Sequence, residues 1–219
     1  DWAGLEHFMA FFRDPYFEPI LWNTIRISLY SFATFPCSII FALMINELTN
    51  HKFKKTVQMI SYMPHFISTV VVCAMVHMFF NVDGGIVNNA IVALGGEPVP
   101  FMYKAKYFDH LYVWSGVWQG IGWGTIIYLA NLSNVSPDLI EAARIDGASR
   151  WDVVVHINIP TILPTVVIML ILRVGSIMGV GFEKVFLLQT DLNLSASRVI
   201  STYVYERTLG AGGTTPSWH

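Results

Sequence analysis

Long apolar segments alternate with short polar ones along this chain. Four apolar runs stand out, from about Ile20 to Leu48, Met59 to Asn81, Leu111 to Leu132 and Thr161 to Phe182. Each is long enough for the roughly 30 Å of a bilayer's hydrocarbon core, which takes about 20 residues of helix. The pattern predicts an all-α, polytopic transmembrane helical bundle. Pro36 falls mid-way through the first run and predicts a kink, and Pro64 lies near the start of the second. Residues 1–19 interleave Phe8, Phe11, Phe12, Tyr16 and Phe17 with charges. They predict an interfacial amphipathic segment that ends at Pro19.

The polar stretches set an orientation. The turn TNHKFKK holds Lys52, Lys54 and Lys55 and is expected on the cytoplasmic side. Residues 82–109 carry balanced charge and the pairs Gly84-Gly85 and Gly95-Gly96, predicting an outer loop with one short helix around Ile86–Leu94. Counting crossings returns the stretch after the third run to the cytoplasm. Residues 183–198 are expected outside, with Glu183 and Lys184 as the boundary of the fourth span, and the remainder is too polar to span. The expected division is therefore an interfacial segment at 1–19, a membrane domain at 20–182 and an extracytoplasmic segment at 183–219.

One polar stretch is unlike a passive connection. Ser136 to Pro160, SPDLIEAARIDGASRWDVVVHINIP, has the grammar of two short helices joined at a glycine. Ser136 suits an N-cap, Pro137 the first helical position and Asp138 the positive end of the helix dipole. Leu139, Ile140, Ala142, Ala143 and Ile145 give the first helix an apolar side. Gly147 can adopt the left-handed conformation that ends a helix. Ser149 and Asp152 have capping-box spacing, and Pro160 is expected to close the second helix. By caps and periodicity alone, a solvated helical loop, a hairpin lying on lipid and a docking element all fit.

Composition narrows the class. The chain has 219 residues, 54% hydrophobic and 13% charged, with a mean hydropathy of +0.52. A soluble domain carries about twice that charged fraction. The formal net charge of −2 leaves no basic footprint for nucleic acid. Cys37 and Cys73 both fall in apolar runs and read as reduced core residues. The sequence contains no Gly-rich phosphate loop, zinc-binding His-Glu-x-x-His or Gly-x-Ser-x-Gly. Nothing predicts an active site, a metal site or a cofactor held by this chain.

Several residues inside the apolar runs carry chemistry. Arg173 lies within the fourth run and must find carbonyls, a carboxylate or a wet cavity. Trp114, Trp118, Gln119, Trp123, Tyr128 and Asn131 crowd the third. Aromatic faces and amides are what a neutral sugar requires, so Trp118, Gln119, Asn131 and Arg173 are candidates for a substrate path. Trp114 reads as an interface anchor. Gly116, Gly120 and Gly124, and Gly175 with Gly179, have the spacing that lets helices approach closely. His65 and His77 read as hydrogen-bonded core or interface histidines.

Glu141-Ala142-Ala143, then Gly147, then Ile157-x-Ile159-Pro160 together resemble the EAA loop of ABC-importer permeases. Ile159 stands where that family more often has Leu. The longer string SPDLIEAARIDGASRW, with MPHFIS at 63–68 and GLEHF at 4–8, is similar to the branch that imports oligosaccharides. The resemblance implies a type I importer permease fold and a multi-pass subunit of the bacterial cytoplasmic membrane. It implies a coupling loop at 133–160, in which Glu141, Ala142, Ala143, Asp146, Gly147, Ile157 and Pro160 serve the contact with the ATPase. It also implies partners: a second homologous permease subunit, two ABC ATPase subunits that bind ATP and magnesium, and an extracytoplasmic solute-binding protein. Set against the family, the chain reads as four spans of about six, with one before residue 1 and one after residue 219. A peptide, an amino acid or phosphate as solute, or a receptor or scaffold role without transport, stays open at this point.

Overall fold

The computed structural model describes residues 4–5, 9, 11–177 and 179–208, and every regular element among them is helical. In order these are α1 (Phe17–Ala33), α2 (Phe35–Asn46), α3 (His51–Tyr62), a 3-10 turn (Met63–Phe66), α4 (Thr69–Phe79), α5 (Ile86–Ala93) and α6 (Ala105–Leu132). There follow α7 (Pro137–Ile145), α8 (Arg150–Val153), a π turn (Val154–Asn158), α9 (Ile159–Gly175), α10 (Phe182–Leu188), α11 (Leu194–Ser197) and α12 (Ile200–Thr208). Two stretches are long and apolar enough to cross a membrane, Phe17–Asn46 and Arg150–Gly175, and a third counts if the bent pair of α3 with its 3-10 turn and α4 is one span. The 28-residue α6 is about 42 Å long but too rich in polar residues and glycine to join them.

The proline positions explain where the elements depart from simple runs. Pro19 does not end the amphipathic segment. It falls in the first turn of α1, where backbone N–H groups have no helical partner and a missing one costs nothing. Pro36 breaks the first run as expected, at Thr34. Around Pro64 the second run turns by 101° between Phe66 and Thr69, so the expected straight span at 59–81 is a bent pair instead. Pro160 does not close a helix: α8, the π turn and α9 run on without interruption. The fourth helix thus spans 150–175, not 161–182, and ends where Gly175 and Ser176 weaken helix propensity.

The chain divides into two compact units. The first comprises Asp1–Tyr30, Thr69–Val113 and Ile177–His219. Its core joins Ile27, Cys73, Val76, Phe108 and Leu111 to Val185, Leu188 and Val199. The stretch 183–198 is therefore not a plain polar loop. Phe182, Val185 and Phe186 share a helical face, and buried Asn193 satisfies its surroundings by donating to the carbonyls of Met102 and Leu188 and accepting from Thr190 N and Ser197 Oγ. Asn23 donates to the carbonyls of Ser195 and Arg198, and Thr24 Oγ1 accepts from Ile200 N. Arg26 pairs with Asp109 at 2.7 Å. Lys184 is half-buried rather than a free boundary charge. Its Nζ donates to the Tyr112 carbonyl at 2.8 Å, and burial pushes its pKa down to about 8. His77 hydrogen-bonds the Leu187 carbonyl at 3.0 Å, as a core histidine should.

The second unit comprises Ser31–Ser68 and Trp114–Ser176. Here α6 lies close to two neighbours, and glycine permits it. A Cβ at Gly124 would come within 2.6 Å of Ser38 Oγ, while one at Gly122 would meet the backbone carbonyl of Ser61. Gly120 has open space around it. The close-packing glycine that the four-residue spacing misses is therefore Gly122. Replacing it with alanine should cost about 1–3 kcal/mol, because the obstacle is backbone and cannot swing aside. Thermal unfolding of the detergent-solubilised protein should show a clear loss for Gly122→Ala and none for Gly120→Ala.

Candidate functional site: an exposed hairpin rooted in a membrane helix

The hairpin of α7 and α8 forms as its sequence dictates. Ser136 holds the N-cap position in an extended conformation (φ −62°, ψ 128°) without a capping bond from its side chain, Pro137 takes the first turn and Asp138 sits at the positive end. The far end closes on Gly147, whose φ of +88° is the left-handed conformation that glycine allows. Around it Asp146 N donates to the Ala142 carbonyl at 3.0 Å and Ala148 N to the Ala143 carbonyl at 2.9 Å. The second of these is the six-to-one bond of a Schellman cap. The two alanines thus close the helix through their backbones and leave small side chains on its surface. At α8 the capping box forms in full, with Asp152 N donating to Ser149 Oγ at 3.2 Å and Ser149 N to Asp152 Oδ2 at 2.9 Å.

None of the side chains of α7 is buried. Ile145 is 86% exposed and Trp151 is 72% exposed, with Leu139 open beside them. Glu141, Asp146 and Gly147 are exposed as well. An apolar face left open on a rigidly capped hairpin has the character of a contact surface.

The join to α9 is a wide turn. Pro160 has no N–H to give and would crowd the carbonyl of His156 in a regular α-helix. The π turn opens the coil there, with Ile159 N donating to the Val154 carbonyl five residues back. Thr161 Oγ1 donates to the Ile157 carbonyl at 2.7 Å and strengthens the same turn. Buried Asn158 donates from Nδ2 to Glu47 Oε1 at 3.4 Å. Glu47 caps α2 just before the lysine-rich start of α3. The root of the hairpin and the start of α3 therefore share one end of this unit. The structure joins Glu141 through Gly147 to Ile157 and Pro160 along one continuous path of backbone.

The substrate-path candidates do not converge by hydrogen bonding. Arg173 lies in the last turn of α9, and its Nη2 donates to the Ser31 carbonyl at 3.2 Å, three residues before the break at Thr34. Gln119 donates to the Ile67 carbonyl at 2.8 Å and holds the bend after the 3-10 turn. Asn131 donates to the Ile127 carbonyl of its own helix, at the very end of α6 rather than within a span. Trp118 remains open at 44% exposure. The arrangement that the sequence reading passed over is an aromatic stack. The Trp123 and His65 rings lie parallel (4°) with centroids 4.4 Å apart, and Phe66 meets Trp123 edge-on at 5.9 Å. The available signal was Pro64, which sets the 3-10 turn that presents His65 and Phe66. His65 stacks here instead of sitting in a core.

Comparison with known proteins bears on all of this. Residues 34–212 match the family described as binding-protein-dependent transport system inner membrane component. Protein LplB of Bacillus subtilis (strain 168) is 39% identical over 94% of this chain, and the match takes in 65% of that relative. The polygalacturonan/rhamnogalacturonan transport system permease protein YteP of the same organism is 40% identical over 97% of this chain. The chain covers 66% of its length, so it spans less than two thirds of either relative. A chain in the crystal structure of a bacterial ABC transporter involved in import of the acidic polysaccharide alginate superposes with a TM-score of 0.91 at 38% identity, covering 95% of this chain and 73% of that one. The helical fold with its capped hairpin, and a family match over most of the chain, place this protein among the binding-protein-dependent transport system inner membrane components.

Proposed function

We propose that this chain is a permease subunit of an ATP-driven importer that moves a carbohydrate, an oligosaccharide, into the cytoplasm. The observation that carries the reading is the open apolar hairpin at 137–153, continuous in backbone with a 26-residue apolar helix. The chain itself catalyses nothing. Two partner ATPase subunits bind ATP and magnesium and receive Leu139, Ile145 and Trp151. Their closure pushes on the hairpin, and α9 transmits the movement because no loop intervenes. A second homologous permease subunit completes the pathway, and an extracytoplasmic binding protein delivers the solute. The whole assembly resides in the bacterial cytoplasmic membrane.

Gly147 tests the coupling. Space around it is open, so a substitution there acts through backbone conformation alone. Gly147→Asp should abolish ATP-coupled uptake by the reconstituted complex while the spans stay folded. Gly147→Asn, the residue besides glycine found at this left-handed helix end, should retain part of it. Normal stimulation of the ATPase by loaded binding protein in Gly147→Asp would sink the reading.

Arg173 supports a finer one, an acidic oligosaccharide as solute. Its guanidinium sits on an apolar helix, is exposed, and among the described residues bonds through one carbonyl contact. Relatives named for polygalacturonan and for the acidic polysaccharide alginate lend the same support. Losing one charge-assisted hydrogen bond costs about 1.5–3 kcal/mol. Arg173→Gln should therefore lower uptake of an acidic oligosaccharide about ten- to a hundredfold and spare a neutral one of equal length. An equal fall for both would make Arg173 an anchor for Ser31 only.

A further inference from the structure

Helix α3 has no place in the coupling scheme, yet its sequence and exposure are distinctive. It carries Lys52, Lys54 and Lys55 in its first turns, with no acidic residue there to offset them. Cations at a helix N-terminus oppose the macrodipole, so this placement works against the helix and calls for a counter-ion. Asn50 caps that end, accepting from Lys52 N at 3.0 Å and Phe53 N at 3.1 Å. Among the described residues none of the three ammonium groups has an ion-pair or hydrogen-bond partner.

None of the helix's side chains is buried, and its most open residues are ordered. Lys52, Lys55, Met59 and Met63 follow one another at spacings of three and four, with Thr56 and Ile60 beside them on the same face. Along that face the charge comes first and the apolar surface second. Met59, Ile60 and Met63 are each about three-fifths exposed, and Phe53 stands at the boundary. From Lys52 to Met63 the face runs about 16 Å, the depth from a phosphate into the acyl region.

We propose that this face of α3 is a binding site for an anionic phospholipid. The headgroup phosphate sits between Lys52 and Lys55 at the positive end of the helix, with Lys54 on the opposite side, and the acyl chains lie along Met59, Ile60 and Met63. A soluble anion would use the lysines but leave the apolar half uncovered, and a neutral lipid would leave the lysines unpaired. The Glu47–Asn158 contact sets this site beside the root of the hairpin, so an occupied site would steady the corner against which α9 moves.

The test uses the purified transport complex and titrates retained phosphatidylglycerol against phosphatidylcholine by native mass spectrometry. Each lysine near the surface is worth about fivefold in affinity for anionic lipid. K52Q/K55Q should therefore lose phosphatidylglycerol preference by about twenty-fivefold. K52R/K55R should keep it, and Lys104→Gln with Lys106→Gln in the 82–109 segment should leave it unchanged. Phosphatidylglycerol preference undiminished in K52Q/K55Q overturns the proposal. Amine-reactive labelling of the wild-type complex in nanodiscs supplies a measurement that does not depend on a variant folding. Phosphatidylglycerol should slow labelling of Lys52 and Lys55 relative to phosphatidylcholine alone. Equal labelling in both lipids overturns the site, as does protection in both, which would assign the lysines to a partner protein.

Discussion

An apolar helix cannot leave its carbonyl groups unpaired, and much of this structure follows from that constraint. Prolines interrupt the apolar segments at 36, 64, 160 and 164, and each removes a donor from the ladder. Near the first break the Ser31 carbonyl accepts from Thr34 N, Thr34 Oγ1 and Arg173 Nη2. At the second, Gln119 reaches the Ile67 carbonyl. At the third, a π turn redirects the bonding by one residue. Polar groups that look like chemistry in the sequence serve, in two cases, to close the backbone. This does not remove them from function. It explains why charge and amide side chains can persist in so apolar a setting.

The hairpin shows local rules and tertiary needs in agreement. Ser136, Pro137, Gly147 and the Ser149–Asp152 pair were all legible, because caps and turns are decided within a few residues. Its apolar side was legible too, and the structure adds that none of the described residues covers it. On the proposed reading that opening is the point: the surface is complete only with another protein in place.

What the sequence left hidden has common causes. Proline was read as a helix end at 19 and 160, but its effect depends on position. In a first turn it is harmless, and beside a π turn it is accommodated. The bend at Phe66–Thr69 and the core role of 182–199 depend on contacts between residues far apart in sequence, which periodicity does not report. Arg26 met Asp109 for the same reason. Gly122 escaped notice because the four-residue pattern pointed at Gly120, and only the neighbouring backbone reveals which glycine is needed. Trp123 and His65 were both noted in isolation, and their stacking required the 3-10 turn to be known.

The π turn at 154–158 also fixes an angle. One extra residue in a coil shifts everything beyond it by about 100° around the axis. The bearing of Trp151 relative to the side chains of α9 is therefore set by a single inserted position. A regular α-helical path with one residue fewer would be about 1.5 Å shorter and would carry the hairpin's open face to another quarter. The azimuth of the docking surface is written in chain length at this turn, independently of which side chains compose either face.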